Sequence, residues 1–167
     1  MPAELRYVLE KHGRWEGNDM SDLEAMVQEL RDRDEIARLI RTYAHGVDRR
    51  DWSLVRSCFS DDAEAQGSRS TGPIDPYLAE LIPGVEFYPT TMHFMGNQLV
   101  EVDGDTGHVE TYAVAYHWKD EVAGTDHPEN LVVGVRYLDT VQRRDGAWRI
   151  TRRQVAPDWR TGPYPQT

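Results

Sequence analysis

The chain is poor in three features that whole classes of protein depend on. Among 167 residues there is a single cysteine, Cys58, so no internal disulfide can form and no cysteine cluster can hold a metal. No apolar run is long enough to span a bilayer, and the opening MPAELRYVLEKHGRWEGNDM scatters charges where a signal peptide would carry an apolar core. Positive charge is also scarce. Lys plus Arg number 19 against 29 Asp plus Glu, a formal net charge of -10, which removes the attraction to phosphate that nucleic-acid binding relies on and disfavours an anionic membrane surface. The expectation is a soluble, cytoplasmic protein that binds neither nucleic acid nor membrane, with a small molecule as its partner.

Histidine is present, but not in metal-binding order. His45, His93, His108, His117 and His127 include no His-x-His pair and no helical His-x-x-x-His spacing, so neither a metal nor another cofactor is expected. Cys58 sits in the apolar pattern DWSLVRSCF, where packing is a better use for it than nucleophilic chemistry.

The length suits one domain with a sizeable core. Residues 1–20 lack a clean period and read as an extension, 21–160 as the domain and 161–167 as a tail. Ser21 followed by Glu24 has the form of a capping box. Behind it Leu23, Met26, Val27, Leu30, Ile36, Leu39, Ile40, Tyr43 and Val47 recur at near-helical spacing, which predicts a long amphipathic helix with a possible break near Asp32. Asp51 can cap a second, short helix whose Trp52, Val55 and Phe59 share a face. A strand over 61–66, a loop over 67–73 and a short helix near 75–81, closed by Pro83 and Gly84, follow.

The second half reads differently. HFMGNQLVEV, HVETYAVAYHW, LVVGVRYLDTVQRR and AWRITRRQV are strand-like runs separated by turn signals at DGDTG, GTDHPEN and DG. Helices followed by a meander predict an α+β fold: a curved antiparallel sheet in the form of a cone, with the N-terminal helices packed on its concave face and a ligand pocket inside. Apolar residues on both faces of LVVGVRYLDTV suggest a homodimer or homotrimer that covers the convex side.

Inside such a cone the titratable groups stand out. Asp48 follows the last apolar residue of the long helix. His93 opens a strand in which period two places His93, Met95 and Asn97 on one side. If Asp48 and His93 meet, the carboxylate fixes the imidazole tautomer and leaves the other nitrogen as a base. The residues alone leave the alternative that Asp48 caps the helix or pairs with Arg49 or Arg50, and that His93 is an ordinary strand histidine.

The segments TYAHGVDRRDW, TTMHFMGNQ and VQRRDGAWRITRRQV, in that order over residues 21–156, resemble the corresponding parts of SnoaL-like proteins. This group lies in the nuclear transport factor 2-like superfamily and is related to scytalone dehydratase, bile-acid 7α-dehydratase and hexachlorocyclohexane dehydrochlorinase. The resemblance implies a cystatin-like α+β barrel and a catalytic dyad of Asp48 and His93. It implies a further catalytic tyrosine at Tyr43 and an arginine for the leaving group at Arg153; Arg152 and Arg153 point to opposite faces of their strand, and the sequence leaves open which of the two is inside. His117, Tyr116, Asn97 and Trp52 are candidates for substrate contact, although the match at His117 requires a shift of one residue.

The aspartate–arginine–aspartate triad of limonene epoxide hydrolase is not evident, and Val47 stands where scytalone dehydratase has a tyrosine. The implied activity is a cofactor-independent lyase of dehydratase type, acting on a small cyclic polyketide, aromatic or steroid-like molecule. An isomerase or aldol-type cyclase with the same dyad is one alternative. A non-catalytic ligand-binding module, or the small subunit of a ring-hydroxylating dioxygenase, is the other.

Overall fold

The computed structural model describes residues 20–67, 70–120 and 126–164, so the expected extension lies almost wholly outside the described residues. Packing divides the chain after Arg31, and the architecture below is that of the part from Asp32 onward.

Helix α1, Met20–Arg49, runs without the break expected near Asp32. The aspartate is tied down by its side chain: Oδ1 accepts from Arg143 Nη2 at 2.5 Å and from Trp148 Nε1 at 3.3 Å, and the backbone keeps its helical bonds. Ile36, Ile40, Tyr43 and Val47 form the buried stripe. Leu23, Met26, Val27 and Leu30 continue the period but are exposed, because periodicity reports the spacing of apolar residues and not whether a surface covers them. Ser21 lies in the first turn of the helix.

Arg50 ends α1 in the left-handed region, at φ 58°. The amide of Asp51 donates to Gly46 O at 2.9 Å and that of Arg50 to Val47 O at 3.2 Å, the pair of bonds of a Schellman motif. Asp51 then caps helix α2, Trp52–Ser57, accepting from Leu54 N at 2.9 Å as expected. Strand β1, Phe59–Gln66, and the three-residue β2, Thr71–Pro73, occupy the stretch that reads as strand and loop. Helix α3, Ile74–Glu86, passes through Pro83 and Gly84 instead of ending there. A proline removes one helical hydrogen bond, and the apolar face from Ile74 through Tyr77 and Leu78 to Val85 stays buried across it.

Strands β3 (Thr90–Asp103), β4 (Thr106–Trp118), β5 (Leu131–Arg144) and β6 (Ala147–Thr161) form the expected antiparallel meander. The sheet order is β2-β1-β6-β5-β4-β3, curved and not closed. One pairing departs from the antiparallel expectation, since β1 runs parallel to β6. The β5–β6 turn places Asp145 at φ 51° and Gly146 at φ 79°, the two left-handed residues that a two-residue hairpin demands. Period two then aims one set of side chains inward. On β4 these include Val109, Thr111, Ala113 and Ala115, and on β5 Leu131, Val133, Val135 and Tyr137. On β3 the alternation changes phase at a bulge between Met95 and Gln98, so His93 and Met95 are partly buried whereas Asn97 is exposed.

Candidate active site

Asp48 and His93, 45 residues apart, are in contact. The end of α1 brings Asp48 beside the start of β3. His93 N donates to Asp48 Oδ2 at 2.8 Å, its Nδ1 lies 2.7 Å from Oδ1, and the Thr91 hydroxyl donates to Oδ1 at 3.1 Å. Burial pushes the Asp48 carboxyl up, but the hydrogen bonds and charge of His93, with help from Thr91, outweigh it and hold the group below its ordinary value. An ionised carboxylate only accepts, so His93 Nδ1 carries a proton and neutral His93 keeps its lone pair on Nε2. The pair is largely shielded from water, with the imidazole 7 % and the carboxylate 21 % exposed.

His93 forms part of the wall of a cavity of about 540 Å³, in the range of small-molecule sites. Most of the wall is apolar, built from Val47, Leu81, Val85, Ala115, Leu131, Val133, Val135 and Val155. Its polarity comes from Tyr43, Tyr77, Tyr88, Tyr137 and Tyr164, from His93 and His117, from Ser70, and from Glu80, which is exposed. The apolar wall limits competition from bulk water, so each of these groups acts with more force than it would at the surface.

His117 follows the inward phase of β4, which also carries Ala113 and Ala115, so no shift of register is needed to bring it inside. Its ring meets that of His93 edge-on with centroids 5.6 Å apart, and that of Tyr88 at 5.1 Å. Burial, and then the neighbouring His93, press its pKa down to about 4. At neutral pH His117 is an uncharged hydrogen-bonding group beside the dyad.

Tyr43 also lines the cavity, edge-on to Phe59 at 5.8 Å and to Tyr137 at 6.1 Å. Burial raises its phenol above the ordinary value, and the positive charge of Arg153 opposes that rise. Arg153 is not on the cavity wall where a leaving group would meet it. It is fully enclosed, paired through Nε and Nη2 with both oxygens of Asp139 at 2.8 and 2.7 Å, with its guanidinium 4.0 Å from the Tyr43 ring and 4.6 Å from that of Tyr137. Asp139 neutralises the charge and the aromatic rings fill the space towards the cavity. Arg152, one residue earlier on β6, is exposed.

The other proposed substrate contacts lie elsewhere. Asn97 is turned to the opposite face by the bulge and lines a shallow groove with Phe94, Tyr112 and Trp159. Tyr116 alternates with Ala115 and His117, so its ring packs on Trp118 and not into the cavity. Trp52 ties α2 to the end of α3, donating from Nε1 to Glu86 Oε1 at 2.8 Å. Cys58 is buried, and desolvation pushes its thiol up to about 11, which suits packing and not attack. Among the described residues no three His, Cys, Asp or Glu side chains gather as metal ligands, and no helix is long and apolar enough to cross a membrane.

Thr91, Tyr77, Tyr88, Tyr137 and Asp139 enter this site without having been singled out in the sequence. Thr91 was within reach, because residues i and i+2 of a strand share a face and Thr91 stands two before His93. Tyr137 shares the phase of Val133 and Val135. Nothing in the sequence alone pairs Asp139 with Arg153.

Fold and site together define a class: α+β pocket proteins in which a curved sheet and helices surround an apolar cavity with a carboxylate–imidazole contact in its wall. Within that class the chain belongs to the SnoaL-like domain family of the nuclear transport factor 2-like superfamily, whose family model matches residues 28–154. An uncharacterized protein of Mycobacterium tuberculosis is 31% identical over 131 residues, covering 76% of this chain and 86% of the relative. A protein of Novosphingobium aromaticivorans, provisionally designated a scytalone dehydratase, superposes with a TM-score of 0.72 at 19% identity, over 85% of this chain and 94% of its own. A hexachlorocyclohexane dehydrochlorinase of Novosphingobium barchaimii gives 0.68 at 22% identity, over 81% and 92%. At those identities the two structures establish a shared fold.

Proposed function

We propose that the chain is a cofactor-independent lyase of dehydratase type, acting on a small, neutral, cyclic molecule with a hydroxyl group β to a carbonyl, of polyketide, aromatic or steroid-like kind. The observation that carries this reading is the 2.7 Å contact between His93 Nδ1 and Asp48 Oδ1 in the wall of a mainly apolar cavity. Nε2 of His93 takes the proton on the carbon next to the carbonyl, and Asp48 balances the imidazolium that forms. The electrons left on carbon form the new double bond as the β-hydroxyl departs. That hydroxyl takes the proton back from His93 Nε2 and leaves as water, so the pair returns to its starting state. Tyr43 is suited to hydrogen-bond the oxygen on which charge develops, and Arg153 acts on it from behind the wall. Two neighbours by fold bear the names of enzymes that eliminate water or hydrogen chloride, which is in keeping with this chemistry.

An isomerase or cyclase is the second reading, and His117 favours it. A neutral imidazole 5.6 Å from His93, centroid to centroid, offers a route for returning the proton at another carbon. The test is a panel of cyclic β-hydroxy ketones followed by mass spectrometry. Loss of one water that depends on His93 supports the lyase, and a His93-dependent product of unchanged mass supports the isomerase. Turnover that survives His93→Ala overturns both.

A further inference from the structure

Arg50 occupies a position that favours glycine. It is the left-handed residue of the motif that ends α1, at φ 58°, a conformation that side chains disfavour. Its guanidinium reaches four acceptors, the two hydrogens of Nη1 being shared among three of them. Nη1 donates to Val47 O at 3.3 Å, Asp48 O at 3.1 Å and Thr91 Oγ1 at 2.8 Å, and Nη2 to Tyr88 O at 2.6 Å. Two of these acceptors belong to the last turn of the helix that carries Asp48. The other two flank the entry to β3, the strand that carries His93. No other residue type can span both segments in this way, because only the planar fork presents several donors at fixed angles.

The bond to Thr91 has a further effect. A threonine hydroxyl has one hydrogen and an arginine has donors only, so when Oγ1 accepts from Nη1 its own hydrogen must go to another acceptor. Asp48 Oδ1 stands 3.1 Å away. The carboxylate then receives Thr91 Oγ–H, His93 N–H and His93 Nδ1–H from three directions, which leaves it little freedom to rotate.

We propose that Arg50 is a positioning residue for the Asp48–His93 pair, acting through Thr91: it fixes the spacing of the two segments and turns the Thr91 hydroxyl towards the carboxylate. This rests on the dyad proposed above, and it adds a residue that touches neither substrate nor imidazole.

The test needs no substrate. In ¹⁵N-labelled protein, the Nδ1–H of His93 is followed by NMR and its exchange with water is measured. Wild type should show a protected Nδ1–H. Arg50→Gly suits the left-handed turn and should keep the melting temperature within a few degrees, yet speed that exchange by about tenfold or more, and Thr91→Val should do the same. Thr91→Ser, which keeps the hydroxyl, should stay within about twofold of wild type. If Arg50 acts through Thr91, the Arg50→Gly/Thr91→Val double variant should match either single change and not their product. A protected wild-type signal that Arg50→Gly leaves unchanged overturns this proposal alone. Multiplicative effects in the double variant overturn the route through Thr91. No protected Nδ1–H in wild type removes the dyad and this proposal together.

Discussion

His93 meets Asp48 twice. Its backbone N–H reaches Oδ2 at 2.8 Å while its ring Nδ1 lies 2.7 Å from Oδ1, so a single carboxylate fixes both the strand and the imidazole it carries. Removing the carboxylate therefore affects folding and chemistry in ways that can be measured separately.

Asp48→Asn keeps the shape but leaves one oxygen to serve donors that two oxygens now accept. One of them loses its partner, and the expected cost is about 1–3 kcal/mol in urea unfolding. On a substrate that the wild type converts, Asp48→Asn and His93→Ala should each lower turnover by roughly 10²–10⁴-fold, with unchanged far-ultraviolet circular dichroism. A His93→Ala protein that is folded and fully active would end the acid–base reading.

His117 predicts an acid-sensitive fold. Its folded pKa of about 4 lies below the ordinary value of 6.5, so the unfolded chain takes up the proton first as pH falls. Stability is fully present above about pH 6.5 and declines towards pH 4, by roughly 3 kcal/mol in all. The lowered carboxyl of Asp48 acts in the same sense at lower pH, since its stabilisation is lost as the folded group protonates. Thermal unfolding at pH 7 and 4.5 measures the decline, and His117→Leu should flatten it. A wild-type curve that is level over this range would contradict the burial of the neutral ring.

The ion pair of Arg153 and Asp139 is entirely enclosed, at 0% exposure for both side chains. Arg153→Met leaves a carboxylate buried without its partner and should cost about 3–5 kcal/mol by denaturant unfolding. Changing Asp139→Leu in the same protein should recover much of that loss. If activity falls in the doubly changed but stable protein, the pair matters for the phenol of Tyr43 as well as for folding.

Gly46 allows α2 to lie close to the end of α1. A Cβ there would come within 2.8 Å of Val55 Cγ2 and 3.3 Å of the Asp51 carbonyl oxygen. Gly46→Ala should destabilise by about 1–3 kcal/mol, and Val55→Ala in the same chain should restore part of it. Equal melting temperatures for wild type and Gly46→Ala would show that the two helices can separate freely.

Much of this arrangement was legible in the amino-acid sequence because it follows from period and order. The stripe from Ile36 to Val47, the cap at Asp51 and the meander all rest on local rules, whereas period two groups His93 with Met95 without saying which face of the strand is concave. What escaped depends on irregularity or on distant partners. The bulge after Met95 reverses the face of Asn97, although the residues around it alternate plausibly without a bulge. Arg153 reads as a free cation on a strand until Asp139, 14 residues earlier and on the neighbouring strand, is seen to hold it. Pro83 and Gly84 signal a helix end, and the buried apolar face of α3 prevails over them.

Strand β3 is the last in the sheet order, with β4 as its only strand neighbour among the described residues. An edge strand presents amides away from its neighbour, and one of them, that of His93, is taken by Asp48. The same carboxylate that holds the imidazole thus also occupies a backbone donor at the rim of the sheet. Losing the Asp48 side chain would therefore bare a backbone donor on the rim of the sheet as well as release the ring.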